Sequence, residues 1–421
     1  TMFNHKKTDI AVLGAGPVGL IAAHALADRN IDYVLFDREQ RTNIHSYALA
    51  LHPDTLELLD SFGLAERILE NSLQLPTVSI YEDDLPKATL DYTRLPLKYP
   101  FLTVISQGEL EGILVDSLKK KSYKPLWNHR VRFIEEQADV LNITVDRLSE
   151  GMTGYAVAHI ETQIDKTLDY QANYIIGADG YESVARRSAG IDFPEVSPSA
   201  DYAVFEFKTD ADLPNEMRLI IKGNKTHVYW PLPNGHCRWS FQVDQGVASN
   251  PSREKDHKFN PFNNSSLPLL DHQHLDAFLS ENAPWFKGSV EDLSWRKLVN
   301  FEHHLANSFG KDRIWLAGDS AHMTPHAGIL SMNVGMREAV DLVEILSMSD
   351  THLGRQQALA EYNEQRLAEW QHLLDLDHHI YAVDQTARWA LGHRNSLIGN
   401  IPASGETLSE LLAQLHLIDA A

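Results

Sequence analysis

The sequence predicts an α/β fold: a Rossmann-type nucleotide-binding domain, an inserted antiparallel sheet and a C-terminal helical segment. Three observations predict it. A glycine-spaced strand–turn–helix–strand pattern opens the chain, a block of alternating polar and apolar residues with a hairpin signal follows its midpoint, and a long stretch of helical composition ends it. At 421 residues the chain has room for two domains.

The opening unit is TDIAVLGAGPVGLIAAHALADRNIDYVLFDRE. Ile10 to Leu13 form a short apolar run, and Gly14, Gly16 and Gly19 supply the GxGxxG spacing. Gly14 makes the tight turn, Gly16 admits a pyrophosphate to the backbone, and Gly19 lets helix and strand pack closely. Pro17 and Val18 start the helix, whose N-terminal amides would face the diphosphate. Asp37 stands 18 positions after Gly19, where a carboxylate can accept hydrogen bonds from an adenosine ribose. The lysines and apolar run also mimic a signal peptide, but that reading leaves the glycines unexplained. No second GxGxxG occurs in a strand–helix context, which argues against a separate NAD(P) Rossmann domain.

Bulk properties narrow the partners. The formal net charge of -21 disfavours nucleic acid and anionic lipid. A single cysteine, Cys237, excludes an internal disulfide and a CxxC pair, and reads as a buried small residue on a strand. No segment reads as a membrane span, and the expectation is a cytoplasmic protein.

Two further strand–turn–helix patterns follow. ANYIIGADGYESVARRSAG turns at Gly177-Ala178-Asp179-Gly180, where an Asp that caps backbone N–H groups is the simple alternative to a ligand contact. GDSAHMTPHAGILSMNVGMREA follows the apolar run Ile314 to Ala317. In order and spacing, the three motifs resemble the class A flavoprotein aromatic hydroxylases, the para-hydroxybenzoate hydroxylase fold, over nearly the whole chain. The resemblance implies a Rossmann-type FAD-binding domain with an inserted antiparallel-sheet substrate domain. It implies that Asp319, after Gly318, contacts the ribityl and pyrophosphate part of FAD, and that Asp179 and Gly180 lie beside the FAD region. Gln107 in SQGELEGIL, Arg38 after the ribose acid, and Val131 near the adenine match further family positions.

Departures from the family are local. Tyr47 stands where an Arg often reaches the FAD, and Asp54 where an Arg is frequent. The usual PPxGGQGMN reads PHAGILSMN: Pro325 is kept, His326 replaces the second proline, and Ile329, Leu330 and Ser331 replace Gly-Gln-Gly. Less glycine predicts a stiffer loop.

Reducing a flavin leaves negative charge near N1 and the C2 carbonyl, which a helix N-terminus stabilises. Gly328, Ser331, Met332 and Asn333 precede or open such a helix, with Asn333 or Ser331 as candidate cap. By the resemblance, NAD(P)H (NADH or NADPH, bound transiently) reduces bound FAD, O2 adds at C4a, and the hydroperoxide oxygenates an electron-rich ring. His326 is the candidate base or hydrogen-bond donor, or else a structural His. His322 reads as structural. Pro325 between the two histidines, and the lack of a carboxylate triad, argue against a metal site.

MRLIIKGNKTHVYWPLPNGHCRWSFQV, Met217 to Val243, alternates and contains a PNG turn signal. Tyr229, Arg238, Trp239 and Phe241, with Pro325, are candidate substrate-lining residues, of which about half of the strand residues must point away. Gln245 to Leu270 reads as a long surface loop and lid candidate. The expected division is 1–75, 101–190 and 300–350 for FAD, 76–100 and 191–299 for substrate, and 351–421 for the helical region. The leading expectation is an FAD-dependent NAD(P)H monooxygenase hydroxylating a phenolic or polycyclic aromatic compound with O2. Alternatives are a flavin-dependent halogenase (no WxWxIP motif occurs), an alkene reductase, or a non-catalytic flavin-fold binding protein.

Overall fold

The computed structural model describes residues 6–41, 48–137, 139–153, 159–247, 270–324, 327–348, 352–377 and 383–418. Among them, three sheets organise the chain. The first contains Lys6–Leu13 flanked in parallel by Tyr33–Phe36 on one side and His159–Gly177 on the other, with Ile314–Leu316 parallel beyond. An antiparallel hairpin, His129–Gln137 and Val140–Thr153, continues it from the long strand His159–Gly177. The apolar run Ile10 to Leu13 is buried on both faces, as a central parallel strand requires.

Helix Pro17–Asp28 returns along this sheet, with Pro at its first turn and Leu20 to Ala27 buried. It packs on helices Gln107–Lys120 and Leu330–Ser347. His24, fully buried, places Nε2 2.9 Å from the Leu114 carbonyl and ties the first two together. Helix Gln107–Lys120 starts with a capping sequence Ser-x-x-Glu, and Ser106 Oγ accepts the Glu109 N–H at 3.1 Å.

The second sheet has eight strands. Its middle is the expected antiparallel block: Glu216–Lys222, Lys225–Pro231 and His236–Val243. The PNG turn puts Asn234 and Gly235 at φ 62° and 73°, a left-handed geometry that these two residues tolerate. Thr77–Glu82 and Leu85–Asp91 join its edge, Thr77–Glu82 running parallel to Glu216–Lys222. Strand Glu291–Leu305 crosses the expected boundary at 299/300 without a break, and His322–Met323 pairs with its end. A sheet therefore runs from the outer block directly into the GDSAH segment.

One face of this sheet closes a second core with helix His272–Asn282. Phe205, Phe207, Tyr229, Cys237, Trp239 and Phe241 are buried there. Burial raises the Cys237 thiol well above its ordinary range, as befits an inert core residue. Most of the expected loop Gln245 to Leu270 lies outside the described residues. The C-terminal region is helical: His352–Leu373, two short helices from Arg388 to Ile398, and Gly405–Gln414.

Candidate cofactor and substrate sites

Strand register brings the three motifs together. Leu13 pairs with Phe36 and Gly177, and Gly177 pairs with Leu316. The GxGxxG, DG and GD turns therefore leave neighbouring strands at their carboxyl ends, where open α/β sheets bind ligands. A cleft of about 580 Å³ opens there, lined by Gly14, Gly16, Asp37, Arg38, Gln107, Val131, Asp179 and Gly180 among others.

The glycines of the first turn differ in what they meet. A Cβ on Gly14 would lie 2.1 Å from the Ala178 carbonyl oxygen, and its φ of 94° excludes most residues. A Cβ on Gly19 would lie 1.8 Å from the Gly14 carbonyl oxygen. These two are pressed by protein backbone. Gly16 meets nothing within 4 Å, so the backbone beside the helix N-terminus is left open for a ligand. Asp37 is held in place by the Ala15 N–H on Oδ2 at 2.6 Å and the Glu39 N–H on Oδ1 at 2.8 Å. Each oxygen retains acceptor capacity for a ribose hydroxyl. The open turn, the fixed carboxylate and the buried Val131 wall fit the diphosphate and adenosine of FAD.

Asp179 is occupied by its own helix. It accepts the Ser183 hydroxyl at 2.5 Å and the Val184 and Ala185 N–H groups at 2.6 and 3.2 Å. Burial raises its carboxyl above the ordinary range while these donors pull it down. The contacts are those of a capping Asp, and Asp179 still lines the cleft. Arg38 forms an exposed bridge at 3.3 Å to Glu182, another cleft residue. Gln107 donates to Glu111 at 2.6 Å within the cleft wall.

The GD segment rests on the first helix. Gly318 takes φ 68°, and a Cβ there would lie 3.0 Å from Val18. Asp319 is exposed, while Gly318 and Ser320 are buried. Arg186, one turn past the DG motif, donates to the Ser320 carbonyl at 2.8 Å and lies 3.9 Å over the Phe193 ring, locking the two motifs together. Helix Leu330–Ser347 begins three residues before the expected start at Asn333. Neither Ser331 nor Asn333 caps it. The N-cap is Ile329 at φ 47°, ψ 41°, without a side-chain cap. A β-branched residue in the left-handed region is strained. Ser331, Met332 and Asn333 occupy the first turn, whose backbone N–H groups lack intrahelical partners.

Asn333 instead joins three segments. Its amide donates to the Ala50 and Ile329 carbonyls at 2.9 and 2.8 Å and accepts the His52 N–H at 2.8 Å. His52 in turn places Nε2 2.8 Å from the Gly328 carbonyl. Burial drives its pKa down to about 4. His52 was not legible as a site residue, since its partners lie 276 and 281 positions away. Glu338, which accepts the Gly318 N–H at 2.9 Å, did leave a signal: a charged residue in helical register with the buried Leu342 and Leu346. Tyr47, Pro325 and His326 lie outside the described residues.

A second cavity, about 640 Å³, lies between the eight-stranded sheet and the C-terminal region. Tyr202, Thr226, Gln242, Phe301 and His303 line it from the sheet, and Leu374, Ser396 and Asn400 from the other side. Gly399, also in its wall, approaches the GD loop: a Cβ on Gly328 would lie 2.6 Å from the Gly399 carbonyl. The candidate lining residues named from alternation lie elsewhere than this wall. Tyr229, Trp239 and Phe241 point to the opposite face, into the core with helix His272–Asn282. Arg238 has the other parity but is paired with Glu206, its Nε 2.6 Å from Oε1, beneath Trp295, and it is absent from the wall.

No group of three or more His, Cys, Asp or Glu side chains among the described residues is arranged to hold a metal ion. Among them, no helix is long and apolar enough to cross a membrane.

Known proteins resemble this chain in sequence and in fold. The chain is 25% identical over 400 residues to pentachlorophenol 4-monooxygenase of Sphingobium chlorophenolicum, covering 93% of this chain and 66% of that protein. It is 26% identical over 367 residues to 6-methylpretetramide 4-monooxygenase of Streptomyces rimosus, covering 85% and 59%. The chain thus spans about half to two thirds of the length of the curated relatives it matches. The crystal structure of p-nitrophenol 4-monooxygenase from Pseudomonas putida DLL-E4 superposes with a TM-score of 0.68 at 18% identity, covering 98% of each chain, and shares the fold. The family described as the FAD binding domain matches residues 7–377. With that match, the motif-bearing strand ends and the open diphosphate turn, the chain belongs to the FAD binding domain family, as its three motifs imply.

Proposed function

We propose that the protein is an FAD-dependent monooxygenase that uses NAD(P)H and O2 to hydroxylate a phenolic or polycyclic aromatic small molecule. The observation that carries this reading is the junction at Gly328 and Gly399, where the GD loop adjoins the 640 Å³ cavity. Bound FAD supplies the redox and oxygen-activating chemistry. The chain's own residues hold and shield it. Gly16 and the following helix N-terminus would take the diphosphate, Asp37 the ribose, and Asp319 the middle of the cofactor. The first-turn N–H groups of Leu330–Ser347 would face the charge that develops on reduction.

The cavity's size suits a drug-sized, several-ring substrate better than a single small phenol. Its wall offers the Tyr202, Thr226 and Gln242 side chains as hydrogen-bonding groups beside Phe301. His303 is the candidate base for a phenol. Burial lowers its pKa, so the ring is neutral at pH 7, and Nδ1 sits 2.8 Å from the Pro198 carbonyl, leaving Nε2 as acceptor. His326 remains the second candidate. The residues 1–75, 101–190 and 300–350 would form the FAD unit, with the eight-stranded sheet over the substrate.

The test uses the FAD-loaded protein with NADPH or NADH, a panel of mono- and polycyclic phenols, and 18O2. The expected result is substrate-stimulated NAD(P)H oxidation with one labelled oxygen in the product. Reduced flavin that turns over O2 only to hydrogen peroxide with every aromatic would refute hydroxylation. His303→Gln should lower coupled product with FAD content unchanged.

A further inference from the structure

Behind Asp319 lies a chain of buried polar contacts that the reading above does not use. Glu338 and His322 are both fully buried. The Glu338 carboxylate accepts three N–H groups: Gly318 N at 2.9 Å, Trp370 Nε1 at 2.6 Å, and His322 Nε2 at 2.9 Å from Oε2. Trp370, from helix His352–Leu373, also stacks on His322 with ring centroids 3.8 Å apart. On the other side of the ring, Nδ1 lies 3.0 Å from Ser331 Oγ. Ser331 Oγ donates in turn to Asp319 Oδ1.

Counting protons assigns the direction of these contacts. Burial would push the Glu338 carboxyl up, but His322, Trp370 and Gly318 hold it below its ordinary range, so it is an ionised acceptor. The proton between Glu338 and Nε2 therefore belongs to His322. Ser331 has one proton, which Asp319 Oδ1 takes, and its oxygen also lies 3.0 Å from His322 Nδ1 and 3.2 Å from the His322 carbonyl oxygen, so His322 holds the hydroxyl at two points. The other groups about the pair are the Phe309 ring near His322, and Tyr362, Arg366 and Asp341 around Glu338, with Glu369 bridged to Arg366.

We infer that His322 is a positioning residue for FAD: clamped by Glu338 and Trp370, it holds the Ser331 hydroxyl against Asp319 and so fixes the Asp319 carboxylate for the cofactor. This couples the C-terminal helix to the cofactor site through one side chain. It rests on membership of the FAD-binding family and not on the hydroxylation reading.

The experiment is titration of the full-length apoprotein with FAD, followed by flavin fluorescence, with no NAD(P)H or aromatic present. Wild-type protein that binds no FAD would sink the cofactor reading itself. His322→Gln and Ser331→Ala should each weaken FAD binding about tenfold. The double variant should be no weaker than the poorer single variant, because both remove the same link. Additive losses, or unchanged affinity in His322→Gln, would overturn the proposal, since a merely structural histidine acts independently of Ser331. If His322→Gln fails to fold by circular dichroism, Trp370→Phe replaces it in the same cycle, with a loss of about threefold expected and the same non-additivity.

Discussion

The first turn and the GD segment are built by different means. The first turn is built from backbone: a Cβ on Gly14 or Gly19 would meet a carbonyl oxygen, and one on Gly16 would meet nothing within 4 Å. The GD segment is built from side chains recruited across the chain: Asn333 to Ala50 and His52, Ser331 to His322, and Glu338 to Trp370. A backbone site is local and leaves a glycine pattern in the sequence. A side-chain site depends on partners that only folding assembles.

Substitutions can break this contrast. Gly19→Ala should have the largest effect, because its Cβ would overlap the Gly14 carbonyl and backbone cannot step aside. A loss of more than about 4 kcal/mol in urea unfolding, with FAD retention abolished, is expected. A folded Gly19→Ala protein with normal FAD content would show that the turn is not backbone-limited. Asn333→Ala, in the other region, removes three hydrogen bonds and leaves buried groups unpaired, so about 3 kcal/mol should be lost. A change under about 1 kcal/mol would mean that the three segments are held by packing alone.

His52 sharpens the comparison through pH. Its folded-state pKa is depressed from 6.5 to about 4, so the stability it lends is present above 6.5 and is lost as pH falls toward 4. Between pH 7 and pH 5 the wild type should lose about 2 kcal/mol more than His52→Gln. Equal losses in the two proteins, measured by denaturant titration at both pH values, would show that His52 does not titrate with unfolding. Arg38→Ala should do least. Its bridge to Glu182 is exposed, and a change below about 0.5 kcal/mol is expected in the same assay.

The cofactor cleft was largely legible because glycine spacing, an acidic strand end and the two later turns are local patterns. The capping role of Asp179 was legible as an alternative, since an Asp four residues before Ser183 at a helix start is also local. The GD helix was legible, but its cap was not: Ile329 adopts a left-handed conformation that no propensity favours. The direction of the sheet face was not legible. Alternation in HCRWSFQV says that Trp239 and Phe241 share a face, and the structure turns that face onto helix His272–Asn282.

By itself, the sequence determined the α/β fold, the order of the three motifs and the glycine turn at the first strand end. These follow from residues within a few positions of one another, where backbone sterics and strand or helix period decide the outcome. Tertiary structure alone decided which sheet face meets the cavity and which distant side chains stand behind Asp319. Those choices rest on contacts such as His322 with Trp370, whose free energy exists only once the intervening chain has packed.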